Sequence, residues 1–232
     1  MVKIHPDTLQ FFEELNLNNN RDWFLSNKSR WEAIRKDFLA FTQALIDEMV
    51  VIDPSLGNIT AEKCVYRIYR DVRFSSDKRP YKSHIACFLP TGGNRKCAVP
   101  GYYFQVGNDD EGLPGVCSLG GGIFMPDSKT LEAIRQEIFY NIAELKEIMA
   151  EKKYHQYFGD QFWTIKKLQR VPRGYPTDWP DADLLKYKDY TTMYSIPQKY
   201  LFKDDILDRV LDVFRASAPL NKFIQRAMNI PQ

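Results

Sequence analysis

The sequence lacks the residue patterns that mark the commonest metal and redox sites. It has 4 cysteines and 3 histidines among 232 residues, and no two cysteines form a C-x-x-C pair. Such spacing favours neither a zinc site nor a thioredoxin-like redox motif. His5, His84 and His155 share no metal-ligand spacing, and single histidines are usually structural. We therefore predict no resident metal and no cofactor.

Long apolar runs and a secretory leader are also missing. No run approaches the roughly 18 apolar residues that span a bilayer. The chain opens MVKIHPDTLQFF, without the apolar segment of a signal peptide. Four cysteines permit a disulfide framework in a small secreted domain, but this chain is larger. We expect a cytoplasmic protein with reduced thiols and no membrane segment.

The chain has little excess of either charge. Its 32 lysines and arginines and 30 acidic residues give a formal net charge of +2. Domains that bind nucleic acid over their whole surface usually have a global basic excess, so this class is disfavoured. A local basic site remains open. The 44% of hydrophobic and 27% of charged residues are typical of a globular protein.

Apolar spacing predicts helices in the first 53 residues. The clearest helix has six large apolar side chains at intervals of three and four, and it should end near Asp53 and Pro54. These side chains are Trp31, Ile34, Phe38, Phe41, Leu45 and Met49.

The pattern then changes to strands over 64–125. Alternation predicts a strand at 66–74, and three further extended segments lie at 84–89, 102–106 and 116–124. Turn residues at 91–94 and 107–110 separate the last three segments. Short connections of this kind favour an antiparallel meander.

The second half predicts more helix around an irregular stretch. A long helix is expected at 127–150, with Asp127 or Ser128 as its N-cap. The prolines and glycine of 154–180 disfavour a long helix there. One more strand is expected near 191–196, then helices at 203–216 and 219–228. Without strict βαβ alternation, the order favours a single α+β domain over 1–232, with a mainly antiparallel sheet packed against several helices.

One stretch concentrates positive charge, and we call residues 63–82 the basic segment. It contains seven lysines and arginines against Asp71 and Asp77, a local net charge of +5. A strand at 66–74 would place alternate residues on one face, namely Arg67, Tyr69, Asp71, Arg73 and Ser75. The other face would hold Tyr66, Ile68, Arg70, Val72 and Phe74. Arg70 is therefore expected to face apolar neighbours or a buried partner.

The first face has the chemistry of an anion site. Asp71 is close enough in sequence to orient the guanidinium of Arg73 by charge-assisted hydrogen bonds. Guanidinium groups held in this way present planar donors suited to phosphate or carboxylate. The loop that follows, 75–82, adds hydroxyl, ammonium and backbone N–H groups. The alternative is a solvated face on which Arg67, Asp71 and Arg73 neutralise one another.

A triple glycine at 120–122 precedes a predicted helix. It lacks the G-K-[ST] ending of a P-loop and the spacing of a dinucleotide fingerprint. We therefore interpret these glycines as residues that allow close backbone packing in a strand.

Two motifs resemble one known family. Residues 67–82 read R-I-Y-R-D-V-R-F-S-S-D-K-R-P-Y-K, and Arg21, Trp23, Phe24, Asn27 and Lys28 follow an asparagine run. This pattern resembles an uncharacterised domain-of-unknown-function family of bacterial and fungal conserved hypothetical proteins. The resemblance covers nearly the whole chain and is expected to end near Pro197. It implies a single α+β domain and a site that includes the basic segment, to which Arg170 and Arg173 would bring further guanidinium groups.

The leading hypothesis is an anion-binding domain for phosphate, a nucleotide or a nucleic-acid backbone. Its expected ligand-binding residues are Arg67, Asp71, Arg73, Ser75, Lys78, Tyr81, Lys82, Arg170 and Arg173. Two alternatives stay open. One is a metal-dependent phosphoester hydrolase or nuclease, with Asp71 or Asp77 as base or metal ligand. The other is a structural or partner-binding protein in which the basic segment is a salt-bridged scaffold.

Overall fold

The computed structural model describes residues 2–73, 76–93, 98–107 and 113–229. Its centre is an antiparallel sheet of three long strands, β1 (His84–Pro90), β2 (Gly101–Gly107) and β3 (Cys117–Ile123). Two short strands, β4 (Tyr190–Thr191) and β5 (Tyr194–Ser195), both pair with β3. The order β1-β2-β3-β4 confirms the predicted meander and the α+β class. Parts of the two predicted turns, at 94 and 108–110, lie outside the described residues.

The N-terminal helices follow their apolar spacing. They are α1 (Thr8–Leu17), α2 (Arg21–Ser26) and α3 (Lys28–Ile52), followed by a short α4 (Ala61–Cys64). All six apolar residues of the predicted stripe in α3 are buried. The helix ends at Ile52 as predicted, and the carboxylate of Asp53 accepts a hydrogen bond from the backbone of Ser55 just beyond it.

The predicted strand at 66–74 is wrong. This stretch forms only isolated bridges, from Val65 to Cys87 and from Tyr69 to Tyr81. Between these two bridges lie four residue steps on the 65–69 side and six on the 81–87 side. A continuous ladder of backbone hydrogen bonds therefore cannot form. The predicted alternation of exposure holds nonetheless: Arg67, Tyr69 and Asp71 are exposed, and Ile68 is buried. Phe74 lies outside the described residues.

The predicted single helix at 127–150 is also wrong. The chain forms α5 (Ser128–Tyr140), α6 (Ile142–Ala150) and α7 (Lys152–Phe158). Asp127 caps α5 as predicted, accepting a hydrogen bond from the N–H of Thr130 at 2.8 Å. The break falls at Asn141, the C-cap of α5 and a residue type of low helix propensity. The carboxylate of Glu151 caps α7, so the chain is helical as far as Phe158 rather than irregular from Tyr154.

The C-terminal helix runs through a proline that was expected to divide it. Instead of two helices there is one, α8 (Ile206–Ala227), with Pro219 inside it. Contacts with the sheet offset the lost backbone hydrogen bond. Asn221 accepts from the N–H of Gly122 at 2.7 Å and donates to the carbonyl of Gly101 at 3.1 Å. A Cβ on Gly121 would lie 2.6 Å from the Ser217 hydroxyl, so glycine allows this close approach.

The helices that contact the long strands share one core on one face of the sheet. This core contains Tyr102, Phe104 and Val106 of β2, together with buried residues of α1, α3, α4 and α8. A second core lies between α8, α5 and the 162–190 stretch. Cys64, Cys87 and Cys117 are buried, whereas Cys97 lies outside the described residues. Within the described ranges, none of the helices is long and apolar enough to cross a membrane.

The bridge from α8 to two strands predicts a large effect at Asn221. Replacing Asn221→Ala leaves a buried N–H of Gly122 and a buried carbonyl of Gly101 without their partner. We expect a loss of about 3 kcal/mol in the free energy of unfolding, measured by urea denaturation. The control, Asn141→Ala, changes an exposed asparagine and should cost less than about 0.5 kcal/mol. Equal effects would contradict the role of Asn221 as an anchor.

Candidate functional site

The basic segment folds back on itself at the edge of the sheet. The N–H of Arg70 donates to the carbonyl of Pro80 at 2.9 Å, and the N–H of Lys82 donates to that of Ile68 at 2.8 Å. Val65 pairs with β1 on the side opposite β2. The segment therefore forms a closed loop beside the outermost long strand.

Asp77 ties the two sides of this loop together. Its carboxylate accepts hydrogen bonds from the guanidinium groups of Arg70 and Arg79, the latter at 2.8 Å from Nη2. Arg79 also reaches Asn16 in α1, with 2.6 Å between Nη1 and Oδ1. These bonds, first those from Arg79 and then that from Arg70, lower the pKa of Asp77 well below its usual range. Arg70 was expected to face apolar neighbours or a buried partner, and Asp77 is its charged partner.

Asp71 and Arg73 form a second ion pair at the surface. Arg73 donates from Nε at 2.9 Å and from Nη2 at 2.7 Å to the two oxygens of Asp71, a bidentate arrangement. The pKa of Asp71 is lowered, chiefly by the hydrogen bonds from Arg73 and also by the nearby charge of Arg67. The Arg73 side chain is 76% exposed. An exposed pair of this kind adds little stability.

Tyr81 belongs to the packing beneath the loop. Its ring is only 4% exposed and stacks on Phe24 of α2, with 4.2 Å between the centroids. Burial raises its pKa. The side-chain amide of Asn19 accepts from the N–H of Tyr81 and donates to its carbonyl, each at 3.0 Å. Asn19 thus pairs with this backbone as a neighbouring strand would.

The other predicted residues of the basic segment are Arg67, Ser75, Lys78 and Lys82. Arg67 and Lys78 are exposed, and Lys78 Nζ donates to the carbonyl of Val72 at 3.0 Å. Lys82 Nζ lies 4.7 Å from the centroid of the Tyr66 ring. Ser75 lies outside the described residues.

Arg170 and Arg173 are not brought to this loop. Their stretch is anchored where Trp163 bridges Thr191 of β4, on the side of β4 away from β3. Five strand spacings separate Trp163 from Val65, a distance of about 24 Å at ~4.8 Å per spacing. Both arginines are exposed, and neither bonds a residue of the basic segment within the described part of the chain.

The site residues that the sequence did not reveal are Asn16 and Asn19, which lie more than 60 positions from their partners. A run of asparagines beside α2 was the only signal, and it is equally typical of helix caps. Within the described part of the chain, no group of three or more histidine, cysteine or acidic side chains is arranged to hold a metal ion.

Fold and site together define an α+β domain whose sheet edge holds a basic, ion-paired loop. The chain belongs to a family of conserved hypothetical proteins, DUF2461, whose model matches residues 7–223. The match continues beyond Pro197, where the resemblance was expected to end, into most of α8. Searches of curated proteins and of solved structures found no match.

The ion pairs of Asp77 predict a pH dependence. Since the folded-state pKa of Asp77 is lowered, its carboxylate stabilises the fold above the unfolded value of about 4, and this contribution is lost as pH falls through the folded-state value. We expect urea unfolding to show wild type more stable than Asp77→Asn near pH 7. The difference should shrink below about pH 4.

The matched control is Asp178→Asn, because Asp178 is exposed and forms no ion pair with a described residue. Its curve should follow that of wild type. A gap between wild type and Asp77→Asn that stays constant as pH falls would contradict the assigned ion pairs.

Proposed function

We propose that the basic segment is an anion-binding site for phosphate groups, with Arg67 and Lys78 as its central contacts. One observation carries the proposal. Both carboxylates of the segment are already bound by arginines, Asp71 by Arg73 and Asp77 by Arg70 and Arg79. Arg67 and Lys78 stay exposed and form no ion pair with any described residue. Two exposed cations without an ion pair, on a segment of net charge +5, favour an anionic ligand.

The two side chains suit phosphate in different ways. The guanidinium of Arg67 offers a planar set of donors that matches two phosphate oxygens, and the ammonium of Lys78 acts as a point charge. The hydrogen bond from Lys78 to the carbonyl of Val72 already restricts the lysine side chain. Less conformational entropy is therefore lost when Lys78 binds a ligand. Arg73, held by Asp71, and Lys82 extend the same proposed surface.

The other charged residues of the segment support the scaffold interpretation. Arg70, Asp77 and Arg79 close the loop, and the pairing of Asn19 with Tyr81 attaches it to the N-terminal helices. We therefore assign Tyr81 to packing rather than to ligand contact. Arg170 and Arg173 would contribute only to a ligand long enough to reach both edges of the sheet, such as a nucleic-acid strand.

A charge-matched pair of variants tests the proposal. We expect Arg67→Ala/Lys78→Ala to weaken binding of a short labelled oligothymidine, which inorganic phosphate should displace from wild type. If both side chains contact phosphates, the slope of log affinity against log salt should decrease in magnitude by about 1.4, at ~0.7 per contact for single strands. Fluorescence anisotropy over a salt series measures this slope.

The control is Arg35→Ala/Lys36→Ala, which removes the same charge from exposed positions of α3. It should leave the slope unchanged. Equal slopes for the two double variants, or no binding by wild type, would exclude Arg67 and Lys78 as phosphate contacts.

A further inference from the structure

The face of the sheet opposite the shared core has a few partly exposed side chains. In β1 only His84 and Phe88 are partly exposed, in β2 only Tyr103 is, and β3 is buried throughout. His84 and Phe88 alternate with the core residues of β1, and Phe88 lies directly opposite Tyr103. Since cross-strand neighbours share a face, all three lie on the side away from α1, α3 and α8. Solvent therefore reaches the long strands from this side.

A buried amide on this face has a donor without a partner. Gln105 is 1% exposed, and its Oε1 accepts a hydrogen bond from the hydroxyl of Tyr103. Its Nε2 bonds no described residue. A buried donor in this state is unfavourable and rare in folded proteins. Such a group is explained when a ligand supplies the acceptor.

The side chain beside Gln105 on the neighbouring strand is small. Across the strands, Gln105 lies beside Ala86, and the N–H of Tyr66 donates to the carbonyl of Ala86 on the far side. Tyr66 and Gln105 are thus two strand spacings apart, about 10 Å, with only a methyl group between them. Lys82 lies over the Tyr66 ring. This face therefore extends to Tyr66 and Lys82 of the basic segment.

We infer that this face binds the base of a nucleotide, and that an adenine fits it best. The inference rests on the proposed function, because the basic segment would hold the phosphate. Aromatic rings at Tyr66, Phe88 and Tyr103 offer stacking surfaces for a base. A glutamine amide pairs with the N6 and N7 edge of adenine, donating from Nε2 to N7 and accepting at Oε1. The ligand enters beside the partly exposed side chains, with rotamer changes of the kind common on binding.

Binding of adenosine monophosphate, adenosine and inorganic phosphate to the full chain tests the inference by calorimetry. We expect the nucleotide to bind more tightly than either fragment. Gln105→Leu, which removes the donor, should weaken binding of adenosine monophosphate about tenfold and leave binding of phosphate unchanged. The control Gln10→Leu changes an exposed glutamine of α1 and should affect neither ligand.

Thermal unfolding separates this role from a structural one. Gln105→Leu removes a buried donor without a partner, but it also removes the acceptor of the Tyr103 hydroxyl. The comparison is therefore made in a Tyr103→Phe background, where adding Gln105→Leu should leave the melting temperature equal or higher. A glutamine that serves only packing would lower it when replaced. If the leucine variant does not fold, Gln105→Met removes the same donor with an unbranched side chain, and the same loss of nucleotide affinity is expected.

The outcomes distinguish this site from the anion site. If phosphate binds but adenosine monophosphate binds no more tightly, or if neither Gln105 variant weakens the nucleotide, the base site is wrong and the anion site stands. If wild type binds neither phosphate nor the nucleotide, the proposed function fails and the base site fails with it.

Discussion

The architecture depends on how closely α8 approaches the sheet. Gly121 has no side chain at the point of contact, and Asn221 bonds the backbones of β2 and β3 at the same place. This contact places the longest C-terminal helix beside α3 in one core on one face of the strands. One side of β1, β2 and β3 is therefore committed to stability. The other side, and the outer edge of β1, are where solvent-accessible polar chemistry can lie.

The basic segment contains charges that hold its loop together and charges that lie at the exposed surface. Seven cations within 20 residues repel one another, and the two carboxylates of the segment offset part of that repulsion. Asp77 does so where it also fixes the shape of the loop, between Arg70 and Arg79. Asp71 does so at the exposed surface, where an ion pair adds little to stability. The scaffold and binding hypotheses therefore describe different residues of the same segment, and they do not compete.

Local patterns predicted the elements whose stability is local. The stripe of α3, the three long strands and the Asp127 cap all follow from spacing or capping chemistry, and the charge of the basic segment was visible without a structure. The strand at 66–74 failed because its register depends on two extra residues in the facing chain. Pro219 was expected to begin a separate helix, but contacts with strands about 100 residues away hold it inside a single one. The bond from Asn19 to Tyr81 spans 62 positions and has no sequence signature.

The folded state has two unfavourable features: the exposed cations Arg67 and Lys78, and the buried amide of Gln105, whose Nε2 has no partner among the described residues. Elsewhere in the described chain, Arg30, Arg209 and Arg226 are paired with carboxylates, Arg30 with both Asp7 and Glu14. A buried donor without an acceptor and a surplus of cations both make the folded protein less stable than an apolar or neutral replacement would. A ligand with a phosphate and an acceptor-bearing ring would relieve both costs at once. A single nucleotide as ligand would therefore account for both features.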